Sequence, residues 1–143
     1  MDTVVDTNVI AYALLPVEPA GSAARAALGR VGRIAVPDVL RAELVNALWQ
    51  WVRFREVAPD AALAMLDDAD ALLDEVVPAN TLWADALRLA TAHGRSPYET
   101  LFVALSRRLG TTVITFDQRL KAAFPHDVWL VPEFLARTDA SST

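Results

Sequence analysis

Four acidic residues of this chain are spaced so that they could bind a metal ion together. They are Asp6, Glu43, Glu99 and Asp117. Carboxylate oxygens suit Mg²⁺, with Mn²⁺ able to substitute, and such ions usually keep several waters. Neither His93 nor His126 lies at a spacing typical of zinc ligands, and the chain has no cysteine. The chemistry that these residues favour is therefore that of a divalent cation held by oxygen.

The segments that must position these acids alternate between β-branched runs and helical stretches. The predicted strands are Thr3–Val5, Ile34–Val36, Glu75–Val77, Thr112–Thr115 and Val128–Leu130. The predicted helices cover about Thr7–Leu15, Glu18–Leu28, Pro37–Arg55, Pro59–Asp74, Thr81–His93, Pro97–Leu109 and Gln118–Phe124. Strands separated by helices predict an α/β fold, a single-domain three-layer α/β/α sandwich around a short, mainly parallel β-sheet.

The predicted sheet would bring the four acids to one edge. Ligands of open α/β folds bind beyond the carboxyl ends of the parallel strands. Asp6 directly follows the first strand, and Asp117 comes two residues after the fourth. Glu43 lies in the helix after the second strand, and Glu99 lies at the start of the helix before the fourth. Because crowded carboxylates cannot all stay ionised alone, we expect a cation to relieve strain in this cluster.

Three of the acids also have a purely structural interpretation. Asp6 and Asp117 could each cap the helix that follows, since Asp is a preferred N-cap residue. Ser96, Pro97 and Glu99 match the capping box, in which a Glu at the third helical position bonds back to the cap. Glu99 is therefore the least secure of the four as a metal ligand.

Glu43 is the acid that structural roles explain worst. The apolar stripe of its helix consists of Leu40, Leu44, Ala47 and Trp51. Glu43 lies within that stripe, whereas an exposed helical Glu should lie opposite it. A carboxylate on an inward face is costly unless it is paired or binds a metal. Two alternatives are an ion pair with Arg41 or Arg107, and a helix edge that reaches solvent.

Four segments resemble, in order, the motifs of PIN-domain nucleases. They are Val4–Ile10 around Asp6, Val39–Leu44 around Glu43, Pro97–Leu105 around Glu99 and Thr112–Leu120 around Asp117. The resemblance extends over essentially the whole chain. One departure concerns Glu99, which stands where the family usually has Asp, so that a cation there would sit at a shifted position.

This resemblance implies a metal-dependent endoribonuclease that hydrolyses RNA phosphodiesters and leaves a 5′-phosphate. The four acids would be both the catalytic and the metal-binding residues. The chain is similar to the small VapC toxins of toxin–antitoxin pairs, which implies a VapB-type antitoxin and a homodimer. Thr7, Asn8 and Thr115 could orient the carboxylates by hydrogen bonds, although helix and turn capping would explain Thr7 and Asn8 equally well.

Several basic and aromatic residues could contact RNA. Arg41 and Arg107 are candidates for contacts to its backbone, although Arg107 could simply favour the helix dipole. Trp49, Trp51 and Phe54 lie near two arginines and could stack on bases. We expect instead that Trp51 belongs to the core, and that Trp49 or Phe54 forms a helix–helix or dimer contact.

Two other functions remain open at this point. A receiver-type phosphoacceptor signalling domain also binds Mg²⁺ at the carboxyl ends of parallel strands. It would need adjacent acids after the first strand, where Thr7 and Asn8 follow Asp6, and a Lys after the last, where the chain has only Lys121 in a helix. The second alternative is a catalytically silent PIN-like module that binds RNA.

Composition limits the fold and the location of the chain. More than half of its 143 residues are hydrophobic, which argues against disorder. We expect one domain over residues 1–137 and a frayed polar tail over residues 138–143. The apolar run Val9–Leu15 is far shorter than the ~20 residues of a membrane helix, so we expect a cytoplasmic protein. The net charge of −5 is unusual for a nucleic-acid binder, although bound cations would change the local sign.

Overall fold

Strands and helices alternate along the chain in the computed structural model, which describes residues 2–141. The strands are β1 (Asp2–Val5), β2 (Arg33–Pro37), β3 (Glu75–Val77), β4 (Val113–Thr115) and β5 (Val128–Leu130). The helices are α1 (Thr7–Leu14), α2 (Ala20–Arg30), α3 (Val39–Phe54), α4 (Pro59–Leu72), α5 (Trp83–His93), α6 (Pro97–Leu109), α7 (Gln118–Ala123) and α8 (Val131–Ser141). A 3-10 turn over Ala79–Thr81 precedes α5.

The five strands form one parallel sheet in the order β3-β2-β1-β4-β5. Helices α1 to α4 pack on one another, as do α5 and α6, which agrees with right-handed crossovers that cover both faces of the sheet. Helix α6 packs on β1 and β2, and α8 packs against α2. The chain adds β2 and β3 on one side of β1 and then β4 and β5 on the other side, so the strand order reverses between β1 and β4. The predicted α/β fold with a parallel sheet is confirmed.

The centre of the sheet is apolar on both faces. Val4 and Val5 of β1 and Val113 of β4 have no exposed surface. This is the pattern expected for parallel strands that are covered by helices on both sides. Helix α6 is buried from Thr100 to Ser106, and the Thr100 hydroxyl donates to the Ala86 carbonyl at 2.7 Å. Within residues 2–141, no helix combines the length and the apolar character needed to span a membrane.

Helix α8 was not predicted. Its position depends on contacts that are distant in sequence, since Arg30 donates to the Leu135 carbonyl at 2.9 Å and to the Thr138 hydroxyl at 2.7 Å. The first four residues of the expected polar tail, residues 138–141, belong to this helix. Ser142 and Thr143 lie outside the described residues.

Three helices begin two residues later than predicted, α2 at Ala20, α3 at Val39 and α5 at Trp83. Pro37 ends β2 instead of opening α3, a strand-terminal position that proline tolerates. The Asp38 carboxylate accepts from the Ala79 amide at 3.0 Å and does not cap α3. The helix expected from Thr81 is divided, because the 3-10 turn precedes α5.

Candidate active site

All four predicted acids line one open cleft at the carboxyl edge of the sheet. The cleft has a volume of about 410 Å³ and is lined by Asp6, Thr7, Asn8, Ala11, Tyr12, Glu43, Asn46, Ala47, Gln50, Trp51, Glu99 and Asp117. Asp6 follows β1 and Asp117 follows β4, the two neighbouring strands between which the strand order reverses. Such a reversal opens a crevice where ligands bind in α/β folds.

Asp6 is held by both of its carboxylate oxygens. Oδ1 accepts from the Thr7 amide at 2.8 Å, and Oδ2 accepts from the Thr115 hydroxyl at 2.8 Å. Burial, aided by the nearby charges of Glu43 and Asp117, raises the pKa of Asp6 from 3.8 to about 6, although these hydrogen bonds oppose the shift. The ionised form of Asp6 is therefore unfavourable unless a positive charge compensates it.

Glu43 faces Asp6 from helix α3. Its Oε1 accepts from the Thr7 hydroxyl at 2.8 Å. Burial raises the pKa of Glu43, and the charge of Glu99 adds to the effect. Neither of the alternative ion pairs forms, because Arg41 binds Asp70 at 2.6 Å and Arg107 binds Asp127 at 2.9 Å. The edge of the helix opens onto the cleft instead.

Asp117 caps helix α7 through one oxygen only. Oδ1 accepts from the amides of Arg119 at 2.9 Å and Leu120 at 3.2 Å. Oδ2 accepts no hydrogen bond from the residues that the structure describes. The capping interpretation of Asp117 is therefore correct, but it leaves one oxygen available in the cleft.

Thr115 and Asn8 tie the ends of β1 and β4 together. The Thr115 hydroxyl oxygen accepts from Asn8 Nδ2 at 3.2 Å and from the Asp117 amide at 3.0 Å. Because the hydroxyl oxygen accepts these two hydrogen bonds, its own proton is directed to Asp6 Oδ2. Asn8 Oδ1 accepts from the Phe116 amide at 3.2 Å, which fixes the amide orientation. This network orients Asp6 relative to Asp117.

Glu99 differs from the other three acids because it has a cationic partner. Arg95 binds it through Nε at 2.8 Å and Nη2 at 2.9 Å. Ser96 does cap α6 by accepting from the Tyr98 amide at 3.2 Å, but Glu99 does not complete the predicted capping box. That interpretation of Glu99 was wrong, because Arg95, four residues earlier, offers a charged bidentate partner. Among residues 2–141, Asp6, Glu43 and Asp117 form no ion pair.

The acids of the cleft suit a divalent cation that keeps several waters, rather than one that is enclosed by protein ligands alone. Within the described part of the chain, no three acidic or histidine side chains already surround a common ion position. Mg²⁺ is commonly bound through one or two carboxylates, with waters and substrate phosphates completing its shell. Asp6 together with Glu43 or Asp117 supplies such a set, and no cationic side chain among residues 2–141 pairs with these three acids. These residues therefore fit Mg²⁺ or Mn²⁺.

The two predicted RNA-contacting arginines lie outside the cleft. Arg41 is bound to Asp70, and Arg107 follows Glu99 by eight residues, about 12 Å along the axis of α6. Its partner Asp127 directly precedes β5, at the amino edge of the sheet. The structure does not bring either arginine to the acids.

The cleft also contains residues that were not predicted to lie there. Tyr12, Asn46 and Gln50 line its wall, and Trp51, which was expected in the core, packs against the core but is only half-buried and also lines the cleft. Helical spacing is the signal that could have identified them. Asn46, Gln50 and Trp51 follow Glu43 by three, seven and eight residues on α3, and Tyr12 follows Asn8 by four on α1.

Comparison with known proteins assigns the family. The PIN domain family matches residues 3–124 of this chain. The chain belongs to the PIN domain family. Ribonuclease VapC3 from Pyrobaculum aerophilum is 30% identical to this PIN domain over 127 residues, which cover 87% of this chain and 96% of the relative.

Solved structures share the fold of this PIN domain. The crystal structure of PAE2754 from Pyrobaculum aerophilum superimposes with a TM-score of 0.76 at 21% identity, covering 98% of this chain and 90% of that chain. VapBC2 from Rickettsia felis, bound to a DNA fragment from their promoter, gives a TM-score of 0.63 at 13% identity, covering 91% and 98% of the two chains. At these identities the likeness concerns the fold alone.

The family and the strand order exclude the receiver-type alternative. The sheet of this PIN domain has the order 3-2-1-4-5. Receiver domains have the flavodoxin-like order 2-1-3-4-5. The hypothesis of a phosphoacceptor signalling domain was therefore wrong.

Proposed function

We propose that this PIN domain is an endoribonuclease that hydrolyses RNA phosphodiesters with Mg²⁺ as its cofactor and Mn²⁺ as a substitute. One observation carries the proposal. Asp6, Glu43 and Asp117 share one cleft and have no cationic side chain to compensate them among residues 2–141. The name of the relative Ribonuclease VapC3 supports RNA as the substrate class.

Asp6 is the proposed central ligand, because hydrogen bonds fix both of its oxygens. Glu43 and Asp117 would complete the shell directly or through water, with Glu99 assisting. A cation bound there would supply an activated water and stabilise negative charge on the phosphate oxygens. The residues of the chain provide orientation: the Thr115 hydroxyl positions Asp6, and the Thr7 hydroxyl positions Glu43. Such supporting contacts commonly affect activity by about 10- to 100-fold.

The biological role that we propose is the toxin of a VapBC-type toxin–antitoxin pair. The similarity to Ribonuclease VapC3 supports this role, and the fold shared with VapBC2 agrees with it. We propose a VapB-type antitoxin as the partner, a homodimer as the assembly and the cytoplasm, where its RNA substrates are found, as the location. Growth arrest on expression, relieved by a protein encoded next to this gene, is the expected result. Arrest that persists with an inactive variant would contradict the ribonuclease toxin.

An RNA cleavage assay tests the enzymatic proposal. Wild type and Asp6→Asn are incubated with structured RNA in Mg²⁺, in Mn²⁺ and in EDTA. Cleavage should require either metal and fall by on the order of 100-fold or more in Asp6→Asn. Asp68→Asn is the matched control, because Asp68 is an exposed acid outside the cleft. Cleavage in EDTA, or unchanged cleavage by Asp6→Asn, would overturn the proposal, and Mn²⁺ binding without turnover would favour a silent RNA-binding module.

A further inference from the structure

One face of helix α3 forms a wall of the acidic cleft. Glu43, Asn46, Ala47, Gln50 and Trp51 all line the cleft and recur every three to four residues. Helical neighbours at this spacing lie above one another on the same face. Asn46 and Gln50 therefore stand one and two turns from Glu43, about 4.5 and 10.5 Å along the helix axis. The proposed metal site and this wall form one continuous surface.

The two amide side chains on this wall are exposed to solvent. Asn46 and Gln50 form no hydrogen bond with any residue from 2 to 141. A carboxamide presents two donor hydrogens and one acceptor oxygen, a combination that can pair with the edge of a nucleobase. Bases of single-stranded RNA are recognised in this way, by hydrogen bonds on exposed edges.

An aromatic ring lies at the end of the same wall. Trp51 is half-buried in the cleft, with the Arg55 guanidinium 5.4 Å from its ring centroid. The charged residues that line the cleft are all acidic, so Arg55 brings a positive charge to a region that would otherwise repel RNA. Tryptophan and arginine both stack on bases, whatever the sequence. Tyr12 faces the cleft as well, with its ring edge-on to Phe116 at 5.4 Å between centroids.

We propose that Asn46, Gln50 and Trp51 bind one unpaired nucleobase of the substrate beside the scissile phosphate. Trp51 stacks on the base, and the two amides select it by hydrogen bonds to its edge. This inference rests on the proposed ribonuclease function and adds the residues that determine cleavage preference. It places the substrate in a single-stranded segment or loop of RNA. The cleft volume of about 410 Å³ suits a ligand of nucleotide size.

Binding without cleavage is the first test. Short homopolymeric RNAs of each base are titrated into Asp6→Asn while tryptophan fluorescence is recorded. One base should quench fluorescence and bind about tenfold or more tightly than the others. Adding Trp51→Phe should remove the quenching and keep most of the affinity, because phenylalanine still stacks. Trp49→Phe is the matched control, since Trp49 is on the same helix but does not line the cleft.

The second test reads cleavage positions on a mixed-sequence RNA. Asn46→Ala and Gln50→Ala should each reduce the preference for the selected base by roughly tenfold and raise KM more than they lower kcat. Cleavage by wild type with unchanged base preference in both variants would overturn this inference and leave the ribonuclease proposal intact. Equal quenching by Trp51→Phe and Trp49→Phe would also overturn it. Absence of any cleavage by wild type would instead remove the proposed function, and this inference with it.

Discussion

The two edges of the parallel sheet hold acidic residues in opposite states. At the amino edge, Asp2 binds Arg33 at 2.8 Å and Asp127 receives two hydrogen bonds from Arg107, at 3.0 and 2.9 Å. At the carboxyl edge, Asp6 has no cationic partner among the residues that the structure describes. The same residue type is therefore structural where the fold supplies an arginine, and available for a cation where it does not.

The ionisation of the two edges follows from these partners. At the amino edge the acids raise the pKa of Arg33 and Arg107, so the charged forms favour each other. At the carboxyl edge burial and like charges raise the pKa of Asp6 and Glu43. The first arrangement is complete in the protein alone. The second favours a bound proton or, as we propose, a cation, and raised pKa values of this kind are common at functional sites.

Neutralising one acid at each edge should produce the largest difference in RNA cleavage between the two edges. Glu43→Gln should lower kcat/KM for RNA on the order of 100-fold, because it removes a proposed ligand while keeping an acceptor for Thr7. Asp127→Asn should leave kcat/KM within about twofold and lower the free energy of unfolding by about 1 kcal/mol or less, since the Arg107 side chain is 48% exposed. Cleavage kinetics and denaturant unfolding measure the two effects. Equal losses of activity would show that the edges do not differ in function.

The hydroxyl of Thr115 offers a smaller but sharper test of orientation at the carboxyl edge. Thr115→Val should lower activity by about 10- to 100-fold, because Asp6 Oδ2 loses its donor at 2.8 Å and keeps only the longer contact from Asn8 Nδ2 at 3.5 Å. Thr115→Ser keeps the hydroxyl and should recover most of the activity. The same assay should show weaker activation by Mn²⁺ in the valine variant. Full activity of Thr115→Val would mean that Asp6 needs no such support.

Glu99 should be the least sensitive acid of the cleft. Arg95 already compensates its charge through two hydrogen bonds. Glu99→Gln should therefore reduce kcat/KM by less than about tenfold, well below the effect of Glu43→Gln. A loss as large as that of Glu43→Gln would show that Glu99 leaves Arg95 and binds the cation as a full ligand.

Without metal, Asp6→Asn should be more stable than wild type, although it is less active. The pKa of Asp6 is about 6 in the folded protein and 3.8 ordinarily, so the folded state binds its proton more readily. This group favours folding fully below pH 3.8 and loses that contribution as the pH rises through about 6. In EDTA at pH 7, the free energy of unfolding of Asp6→Asn should therefore be about 1–3 kcal/mol higher than that of wild type. Chemical denaturation across this pH range measures the gain, and a gain that does not grow with pH would refute this origin.

The sequence was most informative where local chemistry decides structure. The β-branched runs of β1 and β4 and the Gly94 and Gly110 helix ends are local signals, and the structure has strands and helix ends there. The convergence of Asp6 and Asp117 in one cleft could also be predicted, because parallel strands share their carboxyl edge.

Features that depend on distant or rotatable groups could not be predicted. Helix α8 relies on Arg30, about a hundred residues earlier in the chain. The partner of Glu99 depends on the orientation of the Arg95 side chain, which competes with the capping box that the sequence favours.

Calorimetric titration of Mn²⁺ at pH 7 into wild type, Asp6→Asn and Asp127→Asn decides whether the uncompensated acids form a cation site. Wild type and Asp127→Asn should bind Mn²⁺ alike, whereas Asp6→Asn should bind at least about tenfold more weakly. Binding to wild type should also release protons near pH 6, since the cation displaces the proton of Asp6. Equal Mn²⁺ affinity in wild type and Asp6→Asn, or loss of affinity in Asp127→Asn instead, would contradict a metal site at the carboxyl edge.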